Sequence, residues 1–123
     1  MMKQLFTSIG HAVDGIVDLV KRENNAKIHV ISTLLVILVG LRLEFLAIEW
    51  LWISLAVAGV WVAELINSAL EKLVDLVSPE EHPLAKKVKD YAAGAVLVMA
   101  IWAIFVFCLI SLPHIWMWLA FSR

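Results

Sequence analysis

The chain has 123 residues, 63% of them apolar, with a mean hydropathy of +0.91 and a formal net charge of −1. Soluble domains contain roughly 45–50% apolar residues, so this composition excludes a soluble globular domain and predicts one membrane-embedded domain over residues 1–123. The small net charge gives no global attraction for nucleic acid, and a single cysteine, Cys108, excludes an intrachain disulfide and a cysteine-rich metal site.

The N-terminal segment has apolar residues at helical spacing, while its charged side chains fall largely on other faces. The apolar positions are Phe6, Ile9, Val13, Ile16, Val17 and Val20. This pattern predicts an amphipathic helix over about residues 3–22 that lies on the membrane surface, in the interface.

Three apolar stretches follow and predict three transmembrane helices, at about residues 28–46, 50–77 and 91–121. The third lies within 32 residues, 91–122, that contain no Asp, Glu, Lys or Arg, well beyond the roughly 18 that mark a membrane span. A polar loop with two prolines, residues 78–90, separates the second span from the third. Pro113 is expected to mark the fraying end of the third helix.

Lys and Arg are distributed unevenly between the two ends of the predicted spans. Eight of the ten lie on the side of the N-terminus and the 78–90 loop, and two, Arg42 and Arg123, lie on the other. This bias predicts a multi-pass membrane protein with its N-terminus and the loop in the cytoplasm. The outer interface then receives four indoles, those of Trp50, Trp52, Trp116 and Trp118.

The second predicted span carries a stripe of polar side chains on one face. Glu64, Asn67, Glu71 and Asp75 are spaced by three, four and four residues and occupy an arc of about 80° on an ideal helix. Ionisable groups at this depth are costly unless they face water, a partner or an ion. We therefore interpret the stripe as a functional site, because repulsion among three carboxylates favours a bound cation over a purely structural contact between helices.

Two further groups reach the same membrane level. Glu23 stands where the surface helix meets the first span, and Lys89 and Asp90 stand where the polar loop meets the third. Mg²⁺ binds a few protein oxygens together with nucleotide phosphates, and lysine neutralises phosphate, so this set suits Mg²⁺ and ATP. The sequence has no Gly-x-x-x-x-Gly-Lys-Ser/Thr loop, so an ATP site must be built from helix ends.

Two runs of this sequence resemble the signature of the prokaryotic diacylglycerol kinases and the related undecaprenol kinases. They are Glu64-Leu-Ile-Asn67-Ser68-Ala-Leu-Glu71-Lys-Leu-Val-Asp75 and Lys89-Asp90-Tyr-Ala-Ala-Gly-Ala-Val. The resemblance covers essentially the whole chain and implies phosphorylation of a lipid hydroxyl with Mg²⁺ and ATP at the cytoplasmic membrane surface. It also implies a homotrimer whose sites lie at subunit interfaces.

By this resemblance Glu64 is the general base that takes the proton from the lipid hydroxyl, and Glu23 and Glu71 are Mg²⁺ ligands. The positions that it places near phosphate, nucleotide or substrate are Asn67, Asp75, His82, Lys89 and Asp90. Glu64 and Glu71 are about 10.5 Å apart along an ideal helix, too far to bind one ion as direct neighbours, which permits one to act as base and the other as ligand.

The lipid and the broader class of function have alternatives at this stage. The segment Asn25-Ala-Lys27-Ile-His29 is closer to the undecaprenol kinases, which gives undecaprenol a slight advantage over diacylglycerol. His29 itself is as compatible with a helix–helix hydrogen bond as with a place in the site. Outside the kinases, the stripe could form the cation path of a small oligomeric transport or ion-conducting protein, or the chain could be an inactive membrane scaffold.

Overall fold

A computed structural model describes residues 1–121 as four α-helices. They are α1 (Met2–Arg22), α2 (Asn24–Arg42), α3 (Ala47–Val77) and α4 (Pro83–Phe121). By length and composition, α2, α3 and α4 can each cross a membrane, which confirms the predicted all-α chain with three candidate spans. Arg123, predicted on the outer side, lies outside the described residues.

Local contacts set the starts of α2 and α3 a few residues before the predicted ones. Only Glu23 interrupts the helix between α1 and α2, with φ −95° and ψ 123°, so α2 begins at Asn24. α3 begins at Ala47 because the Glu49 carboxylate accepts a hydrogen bond of 2.7 Å from the Leu46 N–H. A glutamate at the third helical position satisfies a backbone donor that would otherwise lack a partner.

α4 begins at Pro83, so the connection between α3 and α4 is shorter than the predicted loop and covers residues 78–82. Proline suits the first helical position because an N–H there has no intrahelical partner. Nδ1 of His82 also accepts a hydrogen bond of 3.2 Å from the Leu84 N–H and caps the helix. The lysines predicted in the loop therefore lie on the first turns of α4: Lys86, Lys87 and Lys89.

α4 also continues through Pro113 to Phe121, so this proline does not end the helix. Membrane helices tolerate proline because neighbouring groups and small local adjustments compensate for the lost hydrogen bond. At 1.5 Å per residue, the 39 residues of α4 extend over roughly 58 Å, which exceeds the roughly 30 Å hydrocarbon core. The ends of α4 therefore extend into the interfaces.

α3 is the central helix, and its packing against α4 is the most extensive in the chain. A small apolar core forms where both meet the α2–α3 turn, from the buried side chains of Phe45, Ile53, Ala56 and Val106. Gly40 allows α2 to approach this core, because a Cβ atom there would lie 2.6 Å from Cη2 of Trp50. Glycine allows such close helix approaches in membrane proteins.

One end of the bundle, here called the aromatic end, is held by contacts among α2, α3 and α4. Nε2 of His114 in α4 lies 3.0 Å from both carboxylate oxygens of Glu49 in α3. The guanidinium of Arg42 at the end of α2 lies 5.4 Å from the ring centroid of Trp118 in α4. The opposite end, here called the polar end, holds the α1–α2 junction, the end of α3 and the start of α4.

Candidate active site

Glu64 lies in α3 and is buried, with 2% of the residue exposed. Its Oε2 atom has no hydrogen-bond partner among the described residues. Burying a charged oxygen without a partner is costly, so the fold keeps this carboxylate at the expense of stability. Such costs are typical of positions that act on a bound molecule.

Asn67 and Glu71 continue the polar face of α3 toward the polar end. The Asn67 side-chain amide donates a hydrogen bond of 3.2 Å to Oε1 of Glu71. Asn67 is buried, and its Oδ1 atom has no partner in the described part of the chain. The structure thus places a buried carboxylate, an available amide oxygen and a half-buried carboxylate along one face of α3.

Asp75 and Lys89 form an ion pair that joins α3 to α4, with 2.5 Å between Oδ1 and Nζ. Together with His82 they line an open cavity of about 670 Å³ at the α3–α4 connection. Three of the residues predicted near nucleotide therefore share one cavity, to which Lys86 adds a second ammonium and Glu80 and Glu81 add carboxylates.

Two residues predicted near the nucleotide, His82 and Asp90, are not both free to face the cavity. Asp90 is exposed and does not line the cavity, because the residue after Lys89 is turned by about 100° around a helix. His82 lines the cavity, but its Nδ1 atom is engaged in capping α4. Within one chain, Lys89 is the predicted phosphate-binding group that faces the cavity with a positive charge.

Glu23 lies at the junction of α1 and α2 and is half-buried. Near the end of α1, Oδ2 of Asp18 lies 3.9 Å from Nζ of Lys72, the residue after Glu71, while Oδ1 of Asp18 accepts a hydrogen bond from Nε of Arg22. The end of α1, which precedes Glu23, therefore lies near the level of Glu71 on α3.

One chain supplies only part of a ligand set for a metal ion. Residues 1–121 contain no group of three or more His, Cys, Asp or Glu side chains placed to hold a metal ion. Mg²⁺ usually takes one or two protein carboxylates and completes its shell with water and substrate phosphates. The available oxygen of Asn67 beside Glu71 fits this kind of ligation, provided that nucleotide or another copy of the chain supplies the remaining ligands.

His29 is a contact of Glu64 that sequence reasoning did not assign. α2 brings its Nε2 to 3.7 Å from Oε2 of Glu64, although the two residues are 35 positions apart in the chain. The sequence signal was a polar residue inside an apolar span, which indicates function without indicating the partner. His29 also lines an apolar cavity of about 280 Å³ between α2, α3 and α4, whose other members include Val60, Trp61 and Phe107.

Comparison with known proteins assigns the chain to a family. The sequence profile described as prokaryotic diacylglycerol kinase matches residues 10–111. The chain belongs to this family. An undecaprenol kinase of Bacillus subtilis (strain 168) is 39% identical over 93% of this chain and 93% of the relative.

Two diacylglycerol kinases are similar as well. That of Helicobacter pylori (strain J99) is 37% identical over 82% of this chain and 80% of the relative. That of Escherichia coli (strain K12) is 31% identical over 68% of this chain and 69% of the relative. This member of the prokaryotic diacylglycerol kinase family is therefore a lipid kinase, which confirms the predicted enzyme class.

Proposed function

We propose that this lipid kinase transfers the γ-phosphoryl group of ATP to the hydroxyl of a membrane lipid, with Glu64 as the general base. The observation that carries the proposal is the buried Glu64 carboxylate, whose Oε2 has no hydrogen-bond partner in residues 1–121. A carboxylate that makes no hydrogen bond within the described residues keeps lone pairs available for the proton of a substrate hydroxyl.

In the proposed reaction Glu64 accepts the hydroxyl proton while the hydroxyl oxygen forms a bond to the γ-phosphorus. The bond between that phosphorus and the bridging oxygen breaks, and ADP leaves with the electron pair. Phosphoryl transfer depends mainly on positioning and on stabilising charge. The reaction therefore requires one base, a few fixed oxygens and a cationic side chain.

The metal and phosphate groups have proposed ligands along the polar end. Glu71 and Glu23 would hold Mg²⁺, and Asn67 would position phosphate through its side-chain N–H or a substrate hydroxyl through its available Oδ1. Mg²⁺, when bound, neutralises charge on the phosphate oxygens. Lys89 would bind the phosphate chain at the α3–α4 cavity, with Asp75 orienting its ammonium. His82 and Asp90 would lie near the nucleotide.

The assembly that we propose is a homotrimer in the bacterial inner membrane, with its polar end in the cytoplasm and α1 in the interface. Large apolar side chains of α1 are exposed, among them Phe6, Ile9 and Val13. Such a surface suits burial among lipid headgroups and acyl chains. The incomplete metal group of the single chain supports sites shared between subunits.

Undecaprenol is the lipid that we favour, and diacylglycerol is the second candidate. The undecaprenol kinase of Bacillus subtilis is 39% identical over an alignment that covers 93% of this chain. The diacylglycerol kinases of Helicobacter pylori and Escherichia coli are 37% and 31% identical over alignments that cover 82% and 68% of it. The residues around Asn25 to His29 point in the same direction.

Incubating the purified protein with Mg²⁺, ³²P-labelled ATP and each lipid in matched bilayers tests the proposal. We expect labelled undecaprenyl phosphate to form faster than labelled phosphatidic acid. Label in neither lipid would overturn the proposed reaction, and faster label in phosphatidic acid would reverse the order of the two substrates.

A further inference from the structure

His29 and Glu64 face each other across the packing of α2 and α3. Nε2 of His29 lies 3.7 Å from Oε2 of Glu64. Both atoms are buried, and neither has a hydrogen-bond partner among the described residues. The side chain of His29 is 16% exposed and that of Glu64 is 2% exposed, so bulk water is largely excluded from the pair.

Two polar side chains beside His29, those of Trp61 and Thr33, are engaged with each other and with the backbone. The Trp61 indole N–H donates a hydrogen bond of 3.1 Å to Oγ1 of Thr33. The Thr33 hydroxyl in turn donates one of 2.7 Å to the backbone carbonyl of His29. The Trp61 ring lies edge-on to the imidazole, with centroids 6.2 Å apart and planes at 65°. The Trp61 ring therefore packs beside the imidazole, and the Glu64 carboxylate lies 3.7 Å from its Nε2.

We propose that His29 is a positioning residue for Glu64, and this inference rests on the proposed role of Glu64 as base. A neutral imidazole that carries its proton on Nε2 donates to Oε2 of Glu64 and leaves Oε1 to receive the proton of the lipid hydroxyl. Orientation of a base by a third group is a recurring arrangement in enzymes.

The separation of 3.7 Å between Nε2 and Oε2 is slightly longer than a hydrogen bond. Hydrogen bonds from N–H to oxygen measure about 2.7–3.2 Å, so a movement of about 0.8 Å forms the bond. Small misplacements of this size strongly affect catalysis. His29 also lines the apolar cavity of about 280 Å³. A hydrocarbon segment that enters this cavity contacts the imidazole, which couples lipid binding to the orientation of the base.

Two substitutions at His29 separate a positioning role from a packing role. His29→Leu keeps an apolar side chain but removes the donor, and His29→Gln keeps a side-chain N–H. We expect His29→Leu to lower kcat about 10- to 100-fold, with KM for ATP changed by less than about twofold. His29→Gln should recover most of that loss. Equal loss in both variants, or a change confined to KM, would overturn the positioning role.

A spectroscopic measurement tests the contact between His29 and Glu64 without an activity assay. In ¹⁵N-histidine-labelled protein, the Nε2 proton resonance of His29 should move downfield when undecaprenol or diacylglycerol is added without ATP. The same addition to a Glu64→Leu protein that elutes like wild type in detergent should leave the resonance in place. Equal movement in both proteins would overturn the pairing.

The two proposals fail in different ways. A Glu64→Gln protein that keeps its activity would overturn the base assignment, and with it the catalytic meaning of the His29 contact. An inactive Glu64→Gln protein, combined with a wild-type resonance that does not move on lipid addition, would overturn the positioning role alone.

Discussion

Nζ of Lys89 lies 2.5 Å from Oδ1 of Asp75, and this ion pair fastens the start of α4 to the end of α3 beside an open cavity. The pair is largely exposed, and exposed ion pairs add little to the stability of a fold. Its placement therefore matters more for what the ammonium can bind than for holding the two helices together.

Lys89→Met should weaken phosphate binding while leaving the fold intact. Because the hydrogen bond from an ammonium to a phosphate is lost, kcat/KM for ATP should fall about 10- to 100-fold. Lys87→Met is the matched control, because Lys87 is exposed on the same helix and does not line the cavity. Equal effects of the two substitutions on steady-state kinetics would contradict a specific role for Lys89.

Glu71→Gln and Glu23→Gln should each raise the Mg²⁺ concentration needed for half-maximal activity, because each removes a charged oxygen from a hard cation. Titrating Mg²⁺ at saturating lipid measures this midpoint, and Glu44→Gln serves as the control, because Glu44 is an exposed carboxylate in the α2–α3 turn and does not line the α3–α4 cavity. Midpoints that stay at the wild-type value in both variants would reject the ligand roles.

Gly40→Ala should destabilise the bundle, because the new Cβ atom would lie 2.6 Å from the Trp50 ring and 2.9 Å from Cδ2 of Phe45. Overpacking of this kind costs about 1–3 kcal/mol. Gly94→Ala in α4 is the control, since its Cβ meets nothing within 4 Å. Thermal unfolding in detergent should show a lower midpoint for Gly40→Ala only, and equal midpoints would contradict the close packing of α2.

Mixing two inactive variants tests whether sites are shared between subunits. Glu64→Gln and Glu23→Gln proteins, unfolded together and reconstituted, should regain part of the activity, because some interfaces combine an intact Glu64 with an intact Glu23. Each variant reconstituted alone is the control. Well-formed hybrids as inactive as either parent would show that both residues act within one chain.

Most of the helical architecture could be predicted because burial in lipid leaves a strong pattern in the sequence. The polar face of α3 was also accessible, since Glu64, Asn67 and Glu71 belong to one helix and its period fixes their relative directions. The exact starts of α2, α3 and α4 could not be predicted, because they depend on single contacts such as the hydrogen bond from the Leu84 N–H to His82.

Contacts between helices could not be predicted from the spacing of residues. The approach of His29 to Glu64 depends on how α2 packs against α3, and the pairing of Lys89 with Asp75 depends on the short connection that follows α3. The exposure of Asp90, next to Lys89, depends on α4 having already begun at Pro83. In the predicted loop over residues 78–90, the direction of the Asp90 side chain would have been undefined.

Turnover of Glu64→Gln with undecaprenol and with diacylglycerol tests the central claim most directly. The amide keeps the shape of the side chain but cannot accept the proton, so kcat should fall by about 10²- to 10⁴-fold, while the protein elutes like wild type in detergent. Glu44→Gln, an exposed carboxylate in the α2–α3 turn, should leave kcat unchanged. A Glu64→Gln protein with more than about half of the wild-type kcat would contradict the assignment of Glu64 as general base.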